Sequence, residues 1–189
     1  MSIISHLGID KANELKYNNR KSYQELIFEG LSFKFNKEQY ILPNTNNYPI
    51  LLEGDIALSI SDGKWLNKNW LYYNELKNIL ENDYKLKVNF LPRRDTIEQH
   101  IKDIQSHKYL ISGDSLPMHI ALGSNIKCLT LFTCTSPWEI YDYNLQEKII
   151  SSKLKKYFYQ KEYDINATNI ISIKEVIDKF HSHYYLKSL

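Results

Sequence analysis

Two short clusters in this 189-residue chain carry residue types that can grip an anion. The first is Gly113-Asp114-Ser115-Leu116-Pro117-Met118-His119, set between the apolar runs 109–112 and 127–134. A strand that gives way to a helix here would expose free backbone N–H groups and the positive end of a helix dipole, which together favour a phosphate. The Ser115 hydroxyl adds a donor. His119, four residues on, is expected on the same helix face, where its ring can donate to the same anion. The second cluster is Ser59-Ile60-Ser61-Asp62-Gly63-Lys64, followed by Trp65 and, five residues later, Trp70. Gly63 permits the positive φ of a tight turn, and the Lys64 ammonium can neutralise a diphosphate. Plainer roles stand beside these. Asp114 or Ser115 can cap the helix, and Pro117 suits a first turn where its missing N–H costs nothing. His119 can simply pack, and Lys64 can be a solvated lysine, although a cation at a helix start opposes the dipole. The pattern G-x-G-x-x-G is absent, which argues against an ordinary dinucleotide site.

The elements that must position these clusters alternate. Strand character is expected at 56–61, 87–92, 108–112 and 127–134. Helical spacing is expected at 67–84 (Trp70, Tyr73, Leu76, Leu80), at 96–107 (Ile97, Ile101, Ile104), at 115–124 and at 172–185. This is a βαβ succession: a Rossmann-like α/β fold, with a parallel sheet and helices on both faces. Unbroken apolar runs such as Cys-Leu-Thr-Leu-Phe fit strands buried on both sides. In such sheets ligands sit beyond the carboxyl ends of the strands. The segments to weigh are therefore Ser-Asp-Gly-Lys, Pro-Arg-Arg-Asp (92–95), Gly-Asp-Ser-Leu-Pro-Met-His and Thr-Ser-Pro-Trp-Glu (135–139). Residues 1–48 read as a separate N-terminal segment, with one amphipathic helix over 17–29 and an Asn- and Pro-rich loop, leaving 49–189 as the domain.

Composition narrows the function. At 43% hydrophobic and 24% charged the chain is globular. A net charge of +2 with scattered lysines excludes a nucleic-acid surface. No apolar run reaches the ~18 residues of a membrane helix, and the first residues do not form a signal peptide. Cys128 and Cys134 lie about 20 Å apart along one expected strand, too far for a disulfide, so a reducing cytosol is expected. The 15 tyrosines read as packing residues, and His181 with His183 as a solvated helix end.

Taken in order, Lys64-Trp65…Trp70, then Asp114-Ser115-Leu116-Pro117-Met118-His119, then Phe132-Thr133-Cys134-Thr135-Ser136-Pro137 resemble the C-terminal half of the family-nine glycosyltransferases, the bacterial heptosyltransferase family. That family carries K-x-W-P…W, D-[ST]-G-P-x-H and F-G-P-T-S-P in this order. The resemblance implies a GT-B fold, of which this chain matches the donor-binding half. It also implies transfer of a sugar, typically heptose from ADP-heptose, onto lipopolysaccharide core with inversion and without a metal or other cofactor. Ser59, Ser61 and Lys64 would reach the donor phosphates, and Asp114 would contact the sugar. Ser115 and the turn after it, where Leu116 stands in place of the family's glycine, would hold the pyrophosphate, and His119 would brace that turn. The catalytic base is expected in the N-terminal half, which is either supplied by a separate chain or lost by truncation, in which case this chain is inactive alone. The partners implied are a nucleotide-diphosphate sugar and a glycan or lipopolysaccharide-core acceptor, met in the cytoplasm or at the inner face of its membrane. Leu116, Thr133 and Cys134, in place of Gly, Gly and Pro, leave open a second reading, a non-catalytic nucleotide-sugar-binding or protein-interaction module.

Overall fold

The computed structural model describes residues 8–60 and 63–185. Five parallel strands, β1 (Gly54–Ser59), β2 (Val88–Phe90), β3 (His107–Gly113), β4 (Lys127–Phe132) and β5 (Gln146–Ile150), form one sheet in the order β2-β1-β3-β4-β5. The middle of the sheet is dry on both faces, with Ile56, Ala57, Leu58, Leu110 and Ile111 fully buried. Chain order runs outward from β1 to β2, then jumps to β3 on the other side of β1. The strand order therefore reverses between β1 and β3, and a crevice opens at their carboxyl ends.

Helices cover both faces. One carries α3 (Tyr73–Asn82) and α8 (Ile173–Tyr185), whose Leu76, Leu80, Val176 and Phe180 pack with Ile56, Leu58 and Ile111. The other carries α4 (Ile97–Gln105) and α5 (Leu116–Gly123), whose Ile101, Ile104, Met118 and Ala121 pack with Ala57 and Leu110.

The remaining helices are α1 (Gly8–Asn18) and α2 (Tyr23–Gly30) at the front, with α6 (Leu154–Tyr157) and α7 (Ile165–Thr168) before α8. The single helix expected over 17–29 is thus two. Ser22 is the reason: its hydroxyl accepts from the Glu25 N–H, and the Glu25 carboxylate accepts from the Ser22 N–H, a reciprocal cap that starts a new helix. The apolar spacing of Tyr23, Leu26 and Ile27 faces outward, with Ile27 58% exposed.

The helix expected over 67–84 begins only at Tyr73, after a 3-10 turn at Leu66–Lys68. Asn67 holds that turn. It is fully buried, its amide donates to the Gln160 and Glu162 carbonyls (3.1 and 2.7 Å), and its side-chain oxygen accepts from the Asp164 N–H (2.9 Å). Strand β5 escaped the apolar pattern because it is an edge strand with Glu147 and Lys148 at its centre.

Residues 31–53 run without regular structure over the α4–α5 face. Tyr40 and Leu42 pack on α5 where Gly123 leaves room: a Cβ there would meet the Tyr40 Cβ at 2.9 Å. Thr45 donates to the Gln105 side chain at 2.7 Å.

Candidate functional site

A cleft of 430 Å³ opens at the β1/β3 reversal point. Its walls are the end of β1 (Ser59, Ile60), the β2–α4 loop from Leu91 to Thr96, the first turns of α4 (Ile97, His100) and the start of α5 (Ser115, Leu116, Pro117).

The start of α5 is built by β3 and its neighbours. Gly113 ends the strand against the 66–68 turn so closely that a Cβ would lie 2.7 Å from the Lys68 carbonyl oxygen. Ser115 then takes the extended N-cap conformation, but its side chain makes no capping bond. Its hydroxyl leans back to the Gly113 carbonyl at 3.4 Å, a long contact. Pro117 has no N–H to offer, and the Met118 N–H turns to the Ser115 carbonyl (3.1 Å). This leaves the Leu116 N–H without a partner among the described residues, at the positive end of the helix.

Ser59 sits opposite. It is 7% exposed, and its hydroxyl makes no hydrogen bond to the described residues. The Ser59 side chain stands on the cleft wall, where a ligand oxygen can meet its hydroxyl. The cleft can therefore accept an anionic oxygen from two sides.

Of the residues singled out in the sequence, Ser59, Ser115 and Leu116 come together here. Leu116 projects into the opening and is 55% exposed. Ser61 lies outside the described residues. Lys64 is exposed on the bend after them and does not line the cleft.

Asp114 also lies off the cleft wall, where Lys68 Nζ approaches its Oδ2 at 3.4 Å. His119 does not share a face with Ser115. Ser115 is a non-helical cap, so the four-residue spacing does not carry helical phase across it. Instead the Tyr40 hydroxyl accepts from the Gln24 amide and shares a hydrogen bond with His119 Nδ1, each at 2.9 Å. Burial holds His119 below its ordinary pKa. His183 also departs from the solvated end expected of it: its Nδ1 meets the Tyr109 hydroxyl at 2.6 Å.

The Phe-Thr-Cys-Thr-Ser-Pro segment is buried from Phe132 to Pro137. Thr133 donates to the Asn67 carbonyl (2.6 Å), and Cys134 packs on Tyr157 and Ala167. Burial drives both thiols up, Cys128 to about 12 and Cys134 to about 11, so neither is a ready nucleophile. The two tryptophans are anchors: Trp65 donates to the Gln160 carbonyl (2.7 Å) and Trp70 to that of Ile171 (2.8 Å).

Sequence reasoning gave no role to the Pro92–Asp95 loop, although its place after a strand marked it. Arg94 is committed there, forming a two-pronged pair with buried Asp103 at 2.6 and 3.1 Å. Thr96 caps α4 by accepting from the Gln99 N–H at 3.2 Å.

The family model of the glycosyltransferase family 9 (heptosyltransferase) matches residues 65–169, more than half of the chain. The chain belongs to glycosyltransferase family 9. Two solved structures resemble this family-9 chain in fold. The E. coli heptosyltransferase WaaC with ADP-2-deoxy-2-fluoro heptose matches at 12% identity and TM-score 0.54, over 84% of this chain and 53% of WaaC. The dodecameric iron-containing heptosyltransferase TibC in complex with ADP-D-beta-D-heptose matches at 8% identity and TM-score 0.52, over 76% of this chain and 50% of TibC. The family-9 chain thus spans about half the length of these relatives. No curated relative matches it. Among the described residues, no helix is long and apolar enough to cross a membrane.

Proposed function

We propose that the chain holds a nucleoside-diphosphate sugar in the β1/β3 cleft and serves as the donor-binding half of a heptosyltransferase-type glycosyltransferase. The observation that carries this reading is the pairing, across one cleft, of the Ser59 hydroxyl with the uncapped start of α5, in a chain of family 9. The Leu116 N–H, the Ser115 hydroxyl and Ser59 bind the diphosphate. Ser61 and Lys64 reach it from the loop after β1. Asp114, steadied by Lys68, meets the sugar, and His119 braces α5 from behind through Tyr40. The donor is ADP-heptose-like, since WaaC and TibC bind such molecules.

The reaction proposed is inverting transfer to a lipopolysaccharide or other surface-glycan hydroxyl, at or near the inner face of the cytoplasmic membrane. The helix start and the protein's cations stabilise the departing diphosphate. A base on the acceptor hydroxyl comes from the other half of the enzyme. Residues 49–189 are then the donor domain, and 1–48 the segment that joins it to that half.

A second reading, binding without transfer, is favoured by one observation: the Leu116 side chain stands in the cleft where the family has glycine. Thermal unfolding with ADP, UDP, GDP, CDP and ADP-heptose tests both. A nucleotide at 100 times its Kd should stabilise the protein by about 2.7 kcal/mol. Ser59→Ala should weaken that binding and Leu116→Gly strengthen it. No stabilisation by any of the five would overturn the donor reading. Stabilisation without sugar transfer, even with Leu116→Gly and the second half supplied, would favour the binding module.

A further inference from the structure

We propose that Arg93 is the cation that closes on the donor's diphosphate, a role that rests on the reading of the cleft just given. Among the described residues, four cationic side chains lie on or near the cleft: Lys64, Lys68, Arg93 and Arg94. Arg94 is neutralised by its two-pronged pair with Asp103. Lys68 is engaged by Asp114 at 3.4 Å, and Lys64 does not line the cleft. Arg93 is exposed on the cleft wall, and among the described residues nothing is hydrogen-bonded to its guanidinium or paired with it.

Its neighbours hold it at that place. On one side the Leu91 N–H donates to the Leu58 carbonyl at 2.9 Å, tying the loop to β1. On the other, Arg94 is pinned to α4 and Thr96 caps the same helix. The loop ends are fixed while the side chain between them stays free. That suits a group that folds over a ligand after it arrives.

The donors facing it are Ser59, Ser115 and the Leu116 N–H, none of which carries a full charge. A diphosphate seated on them carries more negative charge than Lys64 alone offsets, and a guanidinium can bridge two phosphate oxygens with parallel bonds. When the glycosidic bond to the diphosphate breaks, the electron pair moves to the leaving oxygen and negative charge grows there. Arg93 stabilises that charge without itself gaining or losing a proton. It therefore discriminates between ligands by their phosphates and not by their base. The loop also brings the carboxylate of Asp95 to the cleft, so the two side chains should act with opposite sign.

The test is calorimetric titration of wild type, Arg93→Ala, Arg93→Lys and Asp95→Asn with adenosine, AMP and ADP, repeated with the other bases if ADP is not the preferred nucleotide. Arg93→Ala should lower nucleoside-diphosphate affinity at least about tenfold while leaving nucleoside affinity and thermal stability unchanged. Arg93→Lys should restore part of the loss, and Asp95→Asn should leave affinity equal or higher. Equal losses for nucleoside and diphosphate would overturn the assignment. So would a fall with Asp95→Asn matching that of Arg93→Ala, since the loop's shape and not its charge would then matter. Tight binding that survives Arg93→Ala unchanged overturns Arg93 alone. No binding by wild type overturns the donor reading, and Arg93 with it.

Discussion

Two helices begin on the same cleft, and they treat their first turns in opposite ways. At α4, Thr96 accepts from the Gln99 N–H at 3.2 Å, so the helix start is closed by its own side chain. At α5, Ser115 occupies the same cap position with a residue equally able to accept, yet its hydroxyl makes no such bond and the Leu116 N–H is left open. Residue type alone does not separate the two, because both are good caps. The difference lies in what precedes each. Thr96 follows a loop fixed by Arg94 and Asp103. Ser115 follows Gly113, whose close contact with the 66–68 turn sets how the chain enters the helix. An unspent cap facing a serine hydroxyl across a cleft marks a place for a ligand. A spent cap marks structure.

Variants can break this contrast, and the largest effect should come from the turn that sets the α5 entry. Asn67→Ala leaves the Glu162 carbonyl and the Asp164 N–H without their partner, takes one of two donors from the Gln160 carbonyl, and empties a fully buried position. It should cost about 3 kcal/mol of unfolding free energy in a denaturant titration. Thr96→Ala should cost about 1 kcal/mol, the usual value of a helix cap. Ser115→Ala, with no cap bond to lose, should shift stability by less than about 0.5 kcal/mol yet weaken nucleotide binding. A stability loss at Ser115 equal to that at Thr96 would erase the contrast.

The smallest effect is a pH dependence. Burial lowers the pKa of His107, whose Nδ1 donates to the Asp103 carbonyl (2.7 Å) while Nε2 accepts from the Asn89 amide (3.0 Å). Burial lowers His119 as well. The folded state then binds fewer protons than the unfolded chain. Stability from these groups is complete above the ordinary value of 6.5 and is lost as pH falls through the lowered folded values. His107→Gln should flatten that slope in thermal unfolding followed across the range below neutrality.

Much of this molecule is legible in its residues. The alternation of apolar runs and helical spacing locates four of the five strands and the four helices that pack on them. The break at Gly-Asp-Ser marks the start of α5. The edge strand β5 was hidden by its charges, since an edge position leaves Glu147 partly in water and lets the Lys148 ammonium reach the Pro137 and Ile140 carbonyls. The split between α1 and α2 was hidden in a single cap residue, Ser22. His119 was misplaced because helical periodicity was carried through a cap. The role of Lys68 depends on a turn that Asn67 folds by contacts some 95 residues away, which no local pattern records. Thr133 and Cys134 depart from the family motif for a similar reason: one bonds that turn and the other packs beside it.

The most direct test is amide exchange, read residue by residue by NMR, with and without a saturating nucleoside diphosphate. The account predicts that the Leu116 N–H, open in the free protein, becomes protected, while the Gln99 N–H, already bonded to Thr96, does not change. A Leu116 amide that exchanges equally fast with ligand bound would contradict the claim that the uncapped start of α5 is where the diphosphate rests.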